Sequence, residues 1–195
     1  MSFLYRSSWL YHTVLAGAYG RHKLDRFRAV AQWIPEGSKV LDVCCGDGRL
    51  AEYLPPSVDY RGLDRSRALV RAARRLGRRV DAFDLRTDAL PRAEIVVCQI
   101  SLYQFYPHVE SVLARLFEAA EQRLIITESV RCLAQSRWPW LAALGAWGMR
   151  VEGMGDSRFR FTPHSLQELF RPYRERLRHW GAISAGRDWL FVLEK

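Results

Sequence analysis

Lys39-Val40-Leu41-Asp42-Val43-Cys44-Cys45-Gly46-Asp47-Gly48 is the stretch on which the reading of this chain turns. Its first five residues form a short, largely apolar run of the kind that makes a buried strand. The run stops in a turn of small residues, which lets backbone approach a ligand closely, and the helix that follows aims its N–H groups at the same place. Two carboxylates set this turn apart from an ordinary phosphate cradle. The strand carries Asp42 near its end, and the next strand, Val58 to Leu63, runs into Asp64. An acidic side chain at the second position accepts bonds from both hydroxyls of a ribose. A carboxylate at the first repels a pyrophosphate and suits a ligand that carries positive charge.

Outward from this turn the chain alternates. Upstream, Leu24, Phe27, Val30, Ala31 and Ile34 recur at helical spacing, and Pro35 with Gly37 ends the helix. Downstream, a short helix from Arg49 to Leu54 stops at Pro55-Pro56, and Ser66 opens an amphipathic helix to Leu76 that Gly77 ends. Val80 to Phe83 reads as strand three and Ala93 to Cys98 as strand four. His108 to Gln122 reads as a helix, and Arg123 to Thr127 as strand five. Thr162 caps a helix that starts at Pro163 and runs to about Arg171. His179 to Ser184 and Trp189 to Leu193, parted by Gly186-Arg187-Asp188, read as an antiparallel hairpin. Strands alternating with helices predict a Rossmann-like, doubly wound α/β domain. Its sheet is seven-stranded and mostly parallel, with a C-terminal antiparallel hairpin, helices on both faces, and the ligand at the carboxyl ends of the strands. The expected organisation is one domain over 1–195: an N-terminal helical cap over 1–37, a cofactor-binding core over 38–128, a lid insertion over 129–160, and a C-terminal helix and hairpin over 161–195.

Composition agrees with one soluble domain: 195 residues, 49% hydrophobic and 26% charged. No segment reaches the ~18 uninterrupted apolar residues of a membrane span. Ala16-Gly17-Ala18 mimics a signal cleavage site, but Arg6, Ser7, Ser8 and His12 interrupt the apolar region before it, so a cytoplasmic protein is expected. Cys44, Cys45, Cys98 and Cys132 contain no Cys-x2-Cys pair and read as small thiols, not as a metal site. The net charge of +9 comes from arginine, since only Lys23, Lys39 and Lys195 are lysines. Arg65, Arg67, Arg71, Arg74, Arg75, Arg78 and Arg79 form a dense run, which is either the solvated face of a helix or a patch for nucleic acid or an anionic surface.

The turn resembles the class I S-adenosylmethionine-dependent methyltransferase family, whose motif is Asp/Glu-x-Gly-x-Gly-x-Gly. Asp42, Gly46 and Gly48 match it; Cys44 stands where glycine is usual, a tolerable change unless that position needs positive φ. Double-cysteine forms of the turn look like those of small-molecule methyltransferases related to the quinone-modifying group. The resemblance covers residues 38–128 and implies S-adenosyl-L-methionine as cofactor, held by Asp42, Cys44, Cys45, Gly46, Gly48, Asp64 and the neighbouring Arg65. It places Asp64 on the ribose and Asp84 with Leu85 beside the adenine, Asp84 accepting from the amino group. Gln99, Ser101 and Tyr103, after strand four, fall beside the methionine part. As a strand-end carboxylate, Asp64 is expected to support little packing.

Methyl transfer from a sulfonium needs a base only where the nucleophile must lose a proton; the candidates are His12, His108, His164 and Tyr103. Trp138, Trp140, Trp147, Met149, Met154 and Phe159 would make an apolar lid, which favours a small aromatic, quinone-like or lipid-like acceptor, or else they fill a second core. Nucleic acid is the alternative acceptor. However, the Asp/Asn-Pro-Pro-aromatic motif of amino-group enzymes is replaced by Gln99-Ile100-Ser101-Leu102, and the Pro-Cys of cytosine C5 enzymes is absent. A dinucleotide oxidoreductase lacks support because Cys44 and Arg49 occupy the outer glycine positions. A non-catalytic cofactor-binding protein remains a further alternative. Oligomeric state has no signal in the sequence.

Overall fold

The computed structural model describes residues 24–130 and 159–195. The elements are α1 (Asp25–Ala31), β1 (Lys39–Val43), β2 (Asp59–Asp64), α2 (Arg67–Arg75), β3 (Val80–Ala82), β4 (Ala93–Gln99), α3 (Val109–Ala119), β5 (Ala120–Ser129), α4 (Pro163–Phe170), β6 (Leu177–Ile183) and β7 (Asp188–Glu194). Seven strands form one sheet in the order β3-β2-β1-β4-β5-β7-β6. β1 pairs in parallel with β2 and β4, β2 with β3 and β4 with β5; β7 inserts antiparallel between β5 and β6. This is the mostly parallel Rossmann-like sheet, closed by an antiparallel hairpin, that the sequence predicts. The order reverses direction at β1, which places a switch point between β1 and β4.

Two cores form because the central strands are apolar on both faces. On one face Leu41, Val43, Val96, Leu124 and Ile126 pack under α3 and α4 through Leu113, Leu116, Leu166 and Phe170. On the other, Val40, Ile95, Val97 and Ile125 pack under α1 through Phe27 and Val30, and under Ile34 just beyond its end. Alternation along a strand therefore sends neighbouring residues to different helices. Asp42 and Gln99 fall on the α1 parity of their strands. No helix among the described residues is long and apolar enough to cross a membrane.

Several boundaries differ from the sequence expectation. α1 ends at Ala31, before Ile34, and tightens into i→i+3 bonds from Trp33 N to Val30 O and Ile34 N to Ala31 O. The segment Arg49–Tyr53 is a 3-10 turn rather than an α-helix, because Leu54 precedes a proline and is held extended (φ −94°, ψ 149°). α3 stops at Ala119, and β5 begins at once with Ala120 paired to Ala93. Exposed Glu121 and Gln122 look like the polar face of a helix in sequence but are edge positions of a strand start. β5 also runs two residues beyond Thr127, which brings Glu128 and Ser129 into the sheet. β3 is short, and β6 starts at Leu177. The hairpin turns at Ser184, Ala185 and Gly186, all at positive φ, so Asp188 is already strand. Ser66 and Thr162 cap their helices as expected, Thr162 in a reciprocal capping box with Ser165. Of the apolar lid residues only Phe159 lies within the described residues, stacked on Tyr106 at 4.1 Å; Trp138, Trp140, Trp147, Met149 and Met154, together with His12 and Cys132, lie outside them.

Candidate functional site

The glycine turn sits at the carboxyl end of β1, and its shape explains its composition. Cys44, Gly46 and Gly48 all have positive φ, 59°, 63° and 70°. The departure at Cys44 therefore has a cost, since a non-glycine residue is held in the left-handed region where the motif usually has glycine. Cys45 N donates to Leu63 O (3.1 Å) and Gly48 N to Cys45 O (3.1 Å), folding the turn back over β2. Packing beneath it is tight. A Cβ on Gly48 would meet Val80 Cγ2 at 2.9 Å, and one on Gly62 would meet Cys45 Sγ at 2.6 Å. Above Gly46 the space is open: a Cβ there would have only Leu69 Cδ1 nearby, at 3.9 Å.

Asp64 binds two turns at once. Its Oδ2 accepts from Gly46 N and its Oδ1 from Ser66 N, both at 2.7 Å. This corrects the expectation that it supports little: the carboxylate ties the glycine turn to the start of α2. Burial outweighs these two bonds and raises its pKa to about 6. Arg65 pairs with Asp84 (3.2 Å), bridging the ends of β2 and β3. Asp84 is further organised by its loop, with Arg86 N donating to its Oδ1 and its own N donating to Asp88. Leu85 is 3% exposed and packs in the core.

Asp42 is 1% exposed. Tyr60 Oη donates to its Oδ2 at 2.9 Å, while Oδ1 is buried with no partner. Desolvation is the largest influence and lifts the carboxyl to about 7, against the lowering effect of Tyr60. Gln99 ends β4, and its Oε1 accepts from Arg26 Nε of α1 at 3.2 Å. Ser101 is buried, its Oγ donating to Gln99 O (2.9 Å). Tyr103 is half-buried under the Arg160 guanidinium, which lies 4.5 Å from the ring centroid. His108 and His164 are exposed at the N-terminal ends of α3 and α4.

The turn, Asp42, Asp64, Gln99 and Ser101 thus gather at the carboxyl ends of β1, β2 and β4, with Asp84 linked to them through Arg65. Four further residues join them that the sequence reading does not single out. Tyr60 reaches Asp42; Arg26 exerts its charge on Asp42, Glu128 and Asp188; and Glu128 and Asp188 are themselves buried carboxyls at the ends of β5 and β7. Glu128, raised to about 8 by burial, accepts at Oε1 from Ser101 N and Leu102 N. The available signal was Glu128 itself, an acid directly following the apolar run Leu124-Ile125-Ile126 and Thr127. Part of the arginine run is paired locally: Arg65 with Asp84, Arg74 with Asp81, Arg78 with Asp47 and Glu52, and Arg79 with Asp59.

Several solved structures with this architecture are described as methyltransferases. The putative methyltransferase in complex with the Haloferax volcanii Trm112 activator superposes with a TM-score of 0.71 at 13% identity, covering 100% of this chain and 98% of that one. Magnesium protoporphyrin IX methyltransferase from Synechocystis PCC 6803, with bound SAH, gives 0.60 at 16% identity over 87% and 82% of the two chains. An O-methyltransferase family 2 protein from Planctomyces limnophilus, in complex with apigenin, gives 0.63 at 20% identity over 97% and 62%. At such identities the likeness establishes the fold. No curated protein matches the sequence significantly. The family model described as methionine biosynthesis protein MetW matches residues 24–150, which takes in α1, the glycine turn and every strand through β5. The chain belongs to the MetW family, a family with the class I methyltransferase fold.

Proposed function

We propose that this protein binds S-adenosylmethionine across the carboxyl ends of β1, β2 and β4 and transfers its methyl group to a small apolar or aromatic acceptor. One observation carries the reading: two carboxyls, Asp42 and Asp64, crowd the glycine turn, and Asp42 keeps a buried oxygen that makes no hydrogen bond, though the Gln99 side chain also favours its charged form. A buried orphan acceptor calls for a donor, which an ammonium group supplies and a pyrophosphate does not. The residues fit the cofactor in other respects. Gly46 leaves room above the turn, and each Asp64 oxygen, having accepted one amide, retains a lone pair for a ribose hydroxyl. Asp84 is the acceptor for the adenine amino group, oriented by Arg65; Leu85 contributes backbone; Gln99, Ser101 and Tyr103 border the methionine part.

Bound there, the cofactor supplies a methyl group on a cationic sulfur that departs as a neutral thioether. The protein's share is to hold the acceptor in line and keep water out. Two of the similar structures are a magnesium protoporphyrin IX methyltransferase and a methyltransferase in complex with apigenin. Porphyrin and apigenin are both conjugated ring systems, which supports an aromatic acceptor here. Local pairing of Arg65, Arg74, Arg78 and Arg79 removes much of the basic patch that favours nucleic acid. Calorimetric titration with S-adenosylhomocysteine and with NAD tests the reading. S-adenosylhomocysteine is expected to bind and NAD to give no heat; tight NAD binding with silence toward S-adenosylhomocysteine refutes it. Methyl turnover on any acceptor then separates an enzyme from a cofactor-binding protein.

A further inference from the structure

We propose that Glu128 is a positioning residue: fully buried behind the site, it fixes the loop Gln99–Tyr103 in its ligand-facing conformation by capturing two successive backbone amides. The loop begins under strain. Ile100, β-branched, has φ +47°, a region such residues avoid, so the surroundings must over-determine it. Three consecutive amides are held by the last residues of β5: Ile100 N donates to Thr127 O (2.7 Å), and Ser101 N and Leu102 N both donate to Glu128 Oε1 (2.7 and 2.6 Å). Successive N–H groups converging on one carboxyl oxygen make a nest, here filled from within the fold by a side chain.

The position of Glu128 argues against a role in simple packing. It is 0% exposed, its Oε2 has no partner, and its strand neighbours of the same parity, Leu124 and Ile126, are core residues. An apolar residue there would avoid the desolvation cost of a buried carboxyl. What it could not supply is an acceptor for the Ser101 and Leu102 amides. The charged and titratable groups facing Glu128 are Asp188 of β7, Arg26 of α1 and Cys98 of β4. Being inaccessible, Glu128 acts on a ligand through the loop and does not touch it.

The inference rests on the methyltransferase reading for its ligand effect, and the test separates the two. In the full-length protein, amide exchange at Ser101 and Leu102 is followed by NMR, and S-adenosylhomocysteine affinity by calorimetry, for wild type, Glu128→Gln and Glu128→Asp. In wild type both amides should be as protected as those of β5. Glutamine keeps an acceptor in place, so protection should persist and affinity should stay within about threefold. Aspartate, one methylene shorter, should release both amides and weaken S-adenosylhomocysteine about tenfold or more. Wild-type amides that exchange freely overturn the proposal whether or not any variant folds. So does an aspartate variant that binds like wild type, or a glutamine variant as weak as the aspartate one. A wild-type protein with protected amides that ignores S-adenosylhomocysteine sinks the cofactor reading instead and leaves the amide exchange to decide the role of Glu128.

Discussion

Tyr60→Phe removes one hydroxyl, and its effect should depend on pH in a calculable way. That hydroxyl donates to Asp42 Oδ2 at 2.9 Å and is the strongest influence favouring the charged carboxyl, which burial has raised to about 7. A hydrogen bond to a charged group is worth about 1.5–3 kcal/mol, and one pKa unit is about 1.4 kcal/mol, so its loss should push Asp42 up by a further one to two units. The sign follows from linkage. Asp42 has a folded pKa above its unfolded value, so its contribution is fully present below pH ~4 and is lost as pH rises through the folded pKa. In the variant that loss continues to higher pH. Below pH ~6 Asp42 is mostly neutral in both proteins, and the substitution should cost only an ordinary hydrogen bond, ~1 kcal/mol. Above pH ~8 the cost should reach ~2–3 kcal/mol. Urea unfolding of both proteins at pH 5.5 and 8.5, values chosen to straddle ~7, measures the difference. At pH ~7 the ionised fraction of Asp42 should fall from about half to a few per cent, which weakens a cationic ligand about tenfold. A stability cost equal at both pH values would refute the coupling of Tyr60 to a titrating Asp42.

Three further substitutions probe the turn. Asp64→Ala should weaken S-adenosylhomocysteine about a hundredfold in calorimetry, through two charge-assisted bonds, and should speed exchange of the Gly46 and Ser66 amides; unchanged exchange would show that the carboxylate does not tie the two turns. Cys44→Gly should hold or raise stability by up to ~1 kcal/mol in urea unfolding, while Cys44→Val should lower it by at least ~1–2 kcal/mol, because φ is +59°. Gly62→Ala, whose methyl group would lie 2.6 Å from Cys45 Sγ, should cost ~1–3 kcal/mol and lower Tm by about 2–4 °C per kcal/mol.

Fold and turn were legible in sequence because each leaves a local trace. Strand β1 is an apolar run, Gly46 and Gly48 mark positive φ, and Thr162-Pro163 writes a helix start into adjacent residues. What stayed hidden depends on distant pairing. The boundary between α3 and β5 is set by Ala120 meeting Ala93, not by anything at Ala119 or Ala120. Tyr60 is an ordinary strand residue until Gly48 and Gly62 bring its hydroxyl under the turn. Glu128 reads as a polar strand end until the Gln99–Tyr103 loop folds its amides onto it. Leu85, which the resemblance places beside the adenine, packs its side chain into the core, a burial that its own sequence position does not signal.

In the proposed cofactor site, the buried acids are what would let a net positive chain hold a cation. The formal charge of +9 is a property of the whole sequence, whereas ligand choice depends on the field where the ligand sits. At the carboxyl ends of the strands that field comes from Asp42, Asp64, Glu128 and Asp188, all raised in pKa, with Arg26 the charge that lowers three of them. Raised carboxyls mean that the ligand-free fold holds part of this negative charge in reserve as bound protons. A ligand bringing positive charge stabilises the ionised forms and displaces those protons; by the same linkage, raising pH through 6 to 8 strengthens such a ligand while it loosens the free protein. An anionic ligand would have to do the reverse, adding charge to a buried site that already keeps its own partly neutralised. The arginines around α2 do not alter this where they are paired: Arg65, Arg74, Arg78 and Arg79 are spent on Asp84, Asp81, Asp47, Glu52 and Asp59. The electrostatics of the strand ends, and not the overall charge, therefore select the ligand class.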